Sequence, residues 1–238
     1  MLAILQARTS SRRLPGKVLR TILGRPMIAL QIERLRRSKR LTGLVLATST
    51  DASDDILADF AASMDVDVYR GALDDVLARF RGALKSAGDP KTFLRLTADC
   101  PLADPDVLDL CIEHHVAGDF DYTHNSPDWT FPKGLDVEVV ELSAFERVAE
   151  VAKEAYQREH VTPYFYQHPE QFRIGRVLRS PPLRYRWTVD TPEDFAFVTA
   201  VYEDLYPGKP DFRMVDILEW QDAHPDLVLI NDPGAGAS

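Results

Sequence analysis

Cysteine is scarce in this chain. Its 238 residues include two, Cys100 and Cys111, at a spacing that matches no metal-binding pattern. No disulfide framework is expected, and two free thiols fit a reducing, cytoplasmic setting. Long apolar runs are missing too: none approaches the roughly 18 residues of a membrane span. The opening MLAILQARTSSRR puts its apolar run before its charges, the reverse of a secretory signal. No membrane partner is therefore expected. The chain also lacks a basic surplus: its formal net charge of −9 argues against general nucleic-acid binding. Neither common phosphate-loop pattern occurs. There is no GxGxxG, and Gly16-Lys17 lacks both the upstream glycine and the following Ser or Thr of a Walker A loop. Internal repeats are absent, which excludes a solenoid.

The rest is an ordinary globular mixture, 45% hydrophobic and 27% charged, long enough to bury a core without a disulfide or metal staple. The length suits one α/β domain with at most a modest insert. Charge is uneven. Residues 1–40 hold eleven basic side chains against one acid, Glu33. A basic pole on an acidic protein suits a small, highly charged ligand such as a nucleoside triphosphate. The stretch 34–40 is expected to be a solvated basic helix face.

Pattern predicts a strand over Leu2–Gln6, a basic loop over Ala7–Lys17, a helix over Met27–Arg37 and a buried strand over Gly43–Thr48. A helix over Ser53–Ser63 with Ser53 as N-cap follows, then a short strand at Asp67–Tyr69 and a helix over Leu73–Lys85. Thr92–Thr97 reads as a strand, and Pro105–His115 as a helix with proline in its first turn. This alternation argues for a parallel sheet with helices on both faces. After Gly118 the pattern changes. Strands are expected at Phe120–Tyr122, Leu135–Val140, Phe172–Val177 and Arg184–Thr188, with a helix over Ser143–Tyr156. A final helix over Thr191–Leu205 has Thr191 as N-cap, Pro192 at N1 and acids in its first turn. The expected organisation is one domain over 1–230: a nucleotide-binding core (1–118), an acceptor and dimerisation lobe (119–185), a return to the core (186–222), and a disordered tail (231–238).

Four segments carry candidate chemistry. The loop Gln6–Lys17 follows the first strand, at the carboxyl end where open α/β sheets bind ligands. Its hydroxyls, Pro-Gly turn and spaced cations (Arg8, Arg12, Arg13, Lys17) are what phosphates need, though an ordinary surface loop would also fit. Asp99 follows the strand TFLRLT on the same rim; it could hold Mg²⁺ or cap a turn. Asp190 ends another predicted strand and is extra to the Thr191 cap, so two distant acids could share one ion. Asp136 and Glu138 lie two residues apart on one strand face, which either is solvated or lines an acceptor pocket. Glu159 and His160 could contact substrate or be structural.

Together the segments IxQARxxSxRLPGKVL, ATS, RG…DVLxRF, RxTADCPL, FPxGLDVEV, REHVTPYF and VDTPED, in that order over residues 2–200, resemble the cytidylyltransferase family. That family includes CMP-KDO synthetase and acylneuraminate cytidylyltransferase, and the match is nearest its spore-coat polysaccharide (SpsF-type) branch. The resemblance implies an α/β, Rossmann-like (GT-A-like) nucleotidyltransferase fold, with a mostly parallel central sheet, helices on both faces and a mixed α+β acceptor lobe. It implies CTP and a small-molecule acceptor as partners, Mg²⁺ as cofactor and a possible homodimer.

Carried onto this sequence, Arg8, Ser11, Arg13 and Lys17 would hold CTP phosphates. Ala7, Thr48, Arg70, Gly71 and Thr97 would lie near base and ribose. Asp99 and Asp190 would hold the metal, and Arg8, Lys17, Asp99 and Asp190 would be catalytic. Asp136, Glu138, Glu159 and His160 would face the acceptor. Trp129 and Phe131, expected to be exposed, would serve the acceptor or the dimer contact. The implied reaction is attack of an acceptor oxygen on the α-phosphorus with loss of pyrophosphate, with a metal-bound hydroxyl or Asp190 the candidate base for a hydroxyl acceptor. The segments after residue 120 follow neither the sialic-acid nor the KDO pattern, so the acceptor stays open between a sugar acid and a phosphate. A GT-A-like glycosyltransferase would share fold and metal, but would show Asp-x-Asp where this chain has Asp99-Cys100-Pro101.

Overall fold

The structure, a computed structural model, describes residues 1–126 and 128–229. In chain order the elements are β1 (Leu2–Gln6), the two-residue strands β2 (Thr21–Ile22) and β3 (Arg25–Pro26), α1 (Met27–Leu35), β4 (Gly43–Ser49), α2 (Asp55–Ser63), β5 (Asp67–Gly71), α3 (Val76–Ser86), β6 (Thr92–Thr97) and α4 (Pro105–Gly118). Then come β7 (Tyr122–His124), β8 (Glu138–Glu141), α5 (Leu142–Val151), α6 (Ala155–His160), α7 (Pro163–Gln167), β9 (Ile174–Arg176), α8 (Pro192–Leu205), α9 (Met214–Ala223) and α10 (Pro225–Leu229).

Seven strands form one sheet in the order β5-β4-β1-β6-β8-β7-β9. The pairs β1–β4, β1–β6, β4–β5 and β7–β9 are parallel; β6–β8 and β7–β8 are antiparallel. The 119–185 block thus contributes β7, β8 and β9 to the same sheet as the 1–118 block. Alternation along the strands divides the core between two faces. Ala3, Leu5, Leu46, Leu94, Leu96 and Val139 face α1, α4, α8 and α9. Ile4, Val45, Ala47, Phe93, Tyr122 and Val140 face α3, α5 and α7. This is the α/β, mostly parallel architecture expected, with helices on both faces.

Several local expectations need correction. Ser53 does not cap a helix: Asp51 caps a short 3₁₀ turn (Ala52–Asp54) by accepting from the Ser53 N–H, and α2 begins at Asp55. The helix expected over 143–156 is broken after Val151, because Glu154 and Gln157 form a capping box that starts a new helix. α3 begins three residues later than expected, where Asp75 accepts from the Ala78 N–H at 3.0 Å. Arg184–Thr188 is not a strand; it makes a single bridge, Lys133 with Arg186. Phe131 is buried rather than exposed, and Trp129 is half-buried.

Arg34 does not join a solvated face. It is buried, donates to the Ala103 carbonyl at 2.7 Å and lies over the Phe212 ring. Its aliphatic stem and planar head suit an apolar site as long as the head is partnered. The expectation for 231–238 falls outside the described residues.

Candidate active site

The site forms at the carboxyl ends of β1 and β6, where three segments meet. After β1 the Ala7 N–H still bonds the Ala47 carbonyl, and after β6 the Ala98 N–H bonds the Gln6 carbonyl. The two loops therefore leave the sheet side by side. The third segment, 187–190, docks onto the second: the Val189 N–H and the Thr188 hydroxyl both donate to the Asp99 carbonyl, at 2.8 and 3.1 Å. The two acids, 91 positions apart, are thus set on one rim by backbone bonds.

Gly16 turns the first loop in a left-handed conformation (φ +67°), and Lys17 follows it into the rim. Lys17 is 9% exposed and donates to Asp190 Oδ1 (3.0 Å), Asp99 Oδ2 (3.4 Å) and the Val189 carbonyl (2.7 Å). Arg13 and Arg186 approach Asp190 Oδ2 at 3.1 and 2.9 Å. Burial alone would raise the Asp190 carboxyl, but Lys17, Arg186 and Arg13 outweigh it and hold the group below the usual carboxylate range. Asp190 therefore holds a proton less readily than an ordinary carboxylate. Thr191 caps α8 by accepting from the Asp194 N–H, and the Asp194 carboxylate accepts from the Thr191 and Asp190 N–H groups and twice from Arg186, which fixes that cation beside Asp190.

A cytidylyltransferase family model matches residues 2–204. The chain belongs to the cytidylyltransferase family. It is 34% identical over 235 residues to the spore coat polysaccharide biosynthesis protein SpsF of Bacillus subtilis, with 95% of each chain covered. A solved cytidylyltransferase from Leptospira borgpetersenii superposes with a TM-score of 0.90 at 30% identity, covering 95% of both chains. A CMP:2-keto-3-deoxy-manno-octonic acid synthetase solved with CTP shares the fold at a TM-score of 0.63 and 15% identity, covering 85% of this chain and 98% of that one.

In this cytidylyltransferase, Arg13, Lys17, Asp99 and Asp190 come together directly. Arg8 lies apart from them, 3.6 Å from Glu159 on α6. Ser11 braces the loop by accepting from the Leu14 N–H at 3.4 Å. Ala7 and Thr48 are buried at the strand ends, and Thr97 is half-buried with its carbonyl bonded by Gln31. Arg70 clasps the β4–α2 loop, donating to the Ser49 and Asp51 carbonyls and pairing with Asp55. Gly71 is packed against Tyr69 and Arg79; its carbonyl bonds the Thr50 N–H.

Asp136 is presented by backbone. Asn125 donates to the Leu135 carbonyl and accepts from the Val137 N–H, both at 2.8 Å, and so grips the chain on either side of Asp136. Burial first, then Glu138 and Asp99, push the Asp136 carboxyl up to about 6, against the Gly134 N–H and Lys133. Gly134 (φ +109°) lets this segment touch the 187–190 segment: an added Cβ would lie 2.6 Å from the Trp187 carbonyl carbon.

Glu138 is not on a solvated face. It is buried, and its oxygens are engaged by Arg95 and the Tyr122 hydroxyl. Arg95, Thr162 and Tyr122 overcome the effect of burial and keep it below the usual range. His160 is exposed, its ring 4.5 Å from that of Tyr156.

The sequence did not single out Asp54, the fully buried acid that ties the first loop down. It accepts from the Thr9 N–H and hydroxyl, both at 2.7 Å, and from the Ser49 N–H at 3.2 Å and the Ser49 hydroxyl. Asn125, Arg186, Asp194 and Arg158 were also given no role. Arg158, next to Glu159, holds Asp75 and the Ala152 carbonyl.

Asp99 and Asp190 fit a hard divalent ion. Both offer carboxylate oxygens on one rim, and Lys17 already bridges them. Among the described residues no cluster of three or more acidic, histidine or cysteine side chains could hold a metal. A shell of two carboxylates would therefore be completed by phosphates and water.

Proposed function

We propose that this chain transfers CMP from CTP to a sugar acid or related small acceptor, with Mg²⁺ and release of pyrophosphate. The observation that supports it most is the convergence of Lys17, Asp99 and Asp190, from three segments, on the sheet's carboxyl rim beside Arg13. A phosphoryl-type transfer needs positioning and charge neutralisation more than covalent help. Arg8, Arg13 and Lys17 would bind the triphosphate and stabilise the charge that grows on the departing pyrophosphate. A magnesium ion held by Asp99 and Asp190 would supply further neutralisation of phosphate oxygens.

The acceptor oxygen forms its bond to the α-phosphorus as the bond to pyrophosphate breaks. With a hydroxyl acceptor, the proton must leave. Asp136, raised by burial, suits that task at neutral pH better than Asp190 does. Asp136 and Glu159 would face the acceptor, with His160 at the edge, and Glu138 would shape the wall from behind. The same reading carries a cytoplasmic location, a homodimer and a role in supplying activated precursors for surface polysaccharide. Among the described residues no helix is long and apolar enough to cross a membrane.

The test is pyrophosphate release from CTP, UTP, ATP and GTP with Mg²⁺ against sugar acids, including 3-deoxy-manno-octulosonate, and sugar phosphates. Release with CTP and one acceptor, abolished by Asp99→Ala, is expected. Equal use of all four nucleotides, or full activity of Asp99→Ala, would defeat the reading.

A further inference from the structure

The pair Asp99–Asp190 already has a cation between its carboxylates. An ammonium has three donors, and each Lys17 donor has a partner: Asp190 Oδ1, Asp99 Oδ2 and the Val189 carbonyl. The second Asp190 oxygen is shared by Arg13 and Arg186, and Arg186 also pairs with Asp194. Three cations (Lys17, Arg13, Arg186) thus meet three carboxylates (Asp99, Asp190, Asp194), so the charges of these six side chains offset one another.

A divalent ion added to this arrangement would compete with Lys17 for the same two oxygens and would leave a net positive cluster. A triphosphate changes both terms. Its negative charges can take the ammonium, and they neutralise the incoming ion. Lys17 is suited to the exchange, being a point charge on a flexible stem rather than a rigid fork.

We propose that Lys17 keeps the Asp99–Asp190 site closed to divalent cations in the free protein and yields it when a nucleoside triphosphate draws the ammonium to its phosphates. The second half rests on the nucleotide-transfer reading above; the first half does not. Metal and triphosphate then bind with positive coupling. By linkage each strengthens the other by the same factor, of the order of 5- to 150-fold for couplings of this kind.

The test uses Mn²⁺ as the probe, its free concentration read by electron paramagnetic resonance. Without nucleotide, the wild-type protein should leave Mn²⁺ free, and Lys17→Met should bind about one equivalent with an affinity raised by roughly 5- to 150-fold. Asp99→Asn in the Lys17→Met background should abolish that binding. With a methylene analogue of CTP that cannot be cleaved, wild type should hold Mn²⁺ in a slowly tumbling complex, seen as enhanced water-proton relaxation and lost in Asp99→Asn.

Tight binding of one Mn²⁺ by nucleotide-free wild type overturns the proposal, and so does a folded Lys17→Met that gains nothing. If circular dichroism shows Lys17→Met unfolded, Lys17→Gln takes its place in the same arms, and a folded Lys17→Gln that gains no Mn²⁺ overturns the proposal equally. If the analogue fails to bind in equilibrium dialysis, the nucleotide reading falls, while the nucleotide-free arms still judge Lys17.

Discussion

Asp54 gives the sharpest test of how the first loop is held. It is fully buried and accepts from four donors on Thr9 and Ser49. Replacing it with alanine removes all four acceptor contacts. The Thr9 and Ser49 hydroxyls can rotate to other partners, but the two backbone N–H groups cannot. A buried donor left unmade costs about 1–3 kcal/mol, which applies in full to the buried Ser49 N–H and in part to the half-buried Thr9 N–H, so Asp54→Ala should lose about 2–4 kcal/mol. That is a large share of a total stability of about 5–15 kcal/mol. Asp54→Asn keeps one accepting oxygen and turns the other position into a donor facing donors, so about half the loss is expected.

The assay is urea unfolding at pH 7, with CTP affinity measured on the same samples. Both variants should bind CTP more weakly, because Thr9 and Gly16 share a loop bond and the anchor of Thr9 sets the path toward Lys17. Titration gives a second check. Its bonds hold the Asp54 carboxyl below the usual range despite burial, which alone would raise it. The group therefore stabilises the fold above its unfolded value of about 3.9, and that stability is lost as pH falls through the lower folded value. The gap between wild type and Asp54→Asn should narrow below about pH 4. An Asp54→Ala protein within about 0.5 kcal/mol of wild type, the range of ordinary surface substitutions, would refute the reasoning.

Two further substitutions probe the acceptor side. Glu138→Gln leaves the buried Arg95 guanidinium without its charged partner and should cost about 3–5 kcal/mol, while Arg95→Met with Glu138→Leu and Tyr122→Phe, which removes the Arg95 and Tyr122 donors together, recovers most of it. Thermal denaturation of the two variants checks this, and a combined variant no better than Glu138→Gln contradicts it. Gly134→Ala meets both a positive φ and the Trp187 carbonyl carbon at 2.6 Å. Strain and overpacking of about 1–3 kcal/mol each should destabilise the fold and, by pushing on the 187–190 segment, lower turnover as well; unchanged melting and kinetics would count against the close approach.

Much of the architecture was legible because periodicity and capping act locally. β1, β4 and β6, the proline start of α4 and the Thr191 cap of α8 all follow from residues within a turn of one another. The errors fall where a distant partner decides. Ser53 looked like a cap from its neighbours, but Asp54 is claimed by Thr9, 45 positions away, and the helix start moves accordingly. Arg34 lies in a basic run that reads as surface until the Ala103 carbonyl and the Phe212 ring are brought to it. Glu138 shows the same limit from the opposite side. Spacing put it on one face with Asp136, but only the antiparallel register of β6 with β8 sets Arg95 opposite it and commits its charge.

The rim acids share a further property: Asp99 and Asp136 are positioned by bonds to their own or adjacent backbone, not by one another. The Asp99 carbonyl receives Val189 and Thr188, and Asn125 grips the chain on both sides of Asp136. Side-chain charges at the rim are then free to change partners while the backbone that carries them stays fixed. Lys17 stands between two carboxylates, and Arg8 pairs with Glu159 on α6. A phosphate chain entering between them would meet cations whose present partners are acids on opposite sides of the site. Taking Arg8 would release Glu159 on α6, and taking Lys17 would release Asp99 and one oxygen of Asp190, whose other oxygen stays with Arg13 and Arg186, so one ligand would unmask groups in two separate segments. That consequence follows from ion pairs joining segments that the backbone frame holds at fixed separation, and a fold with the same acids on mobile loops would not produce it.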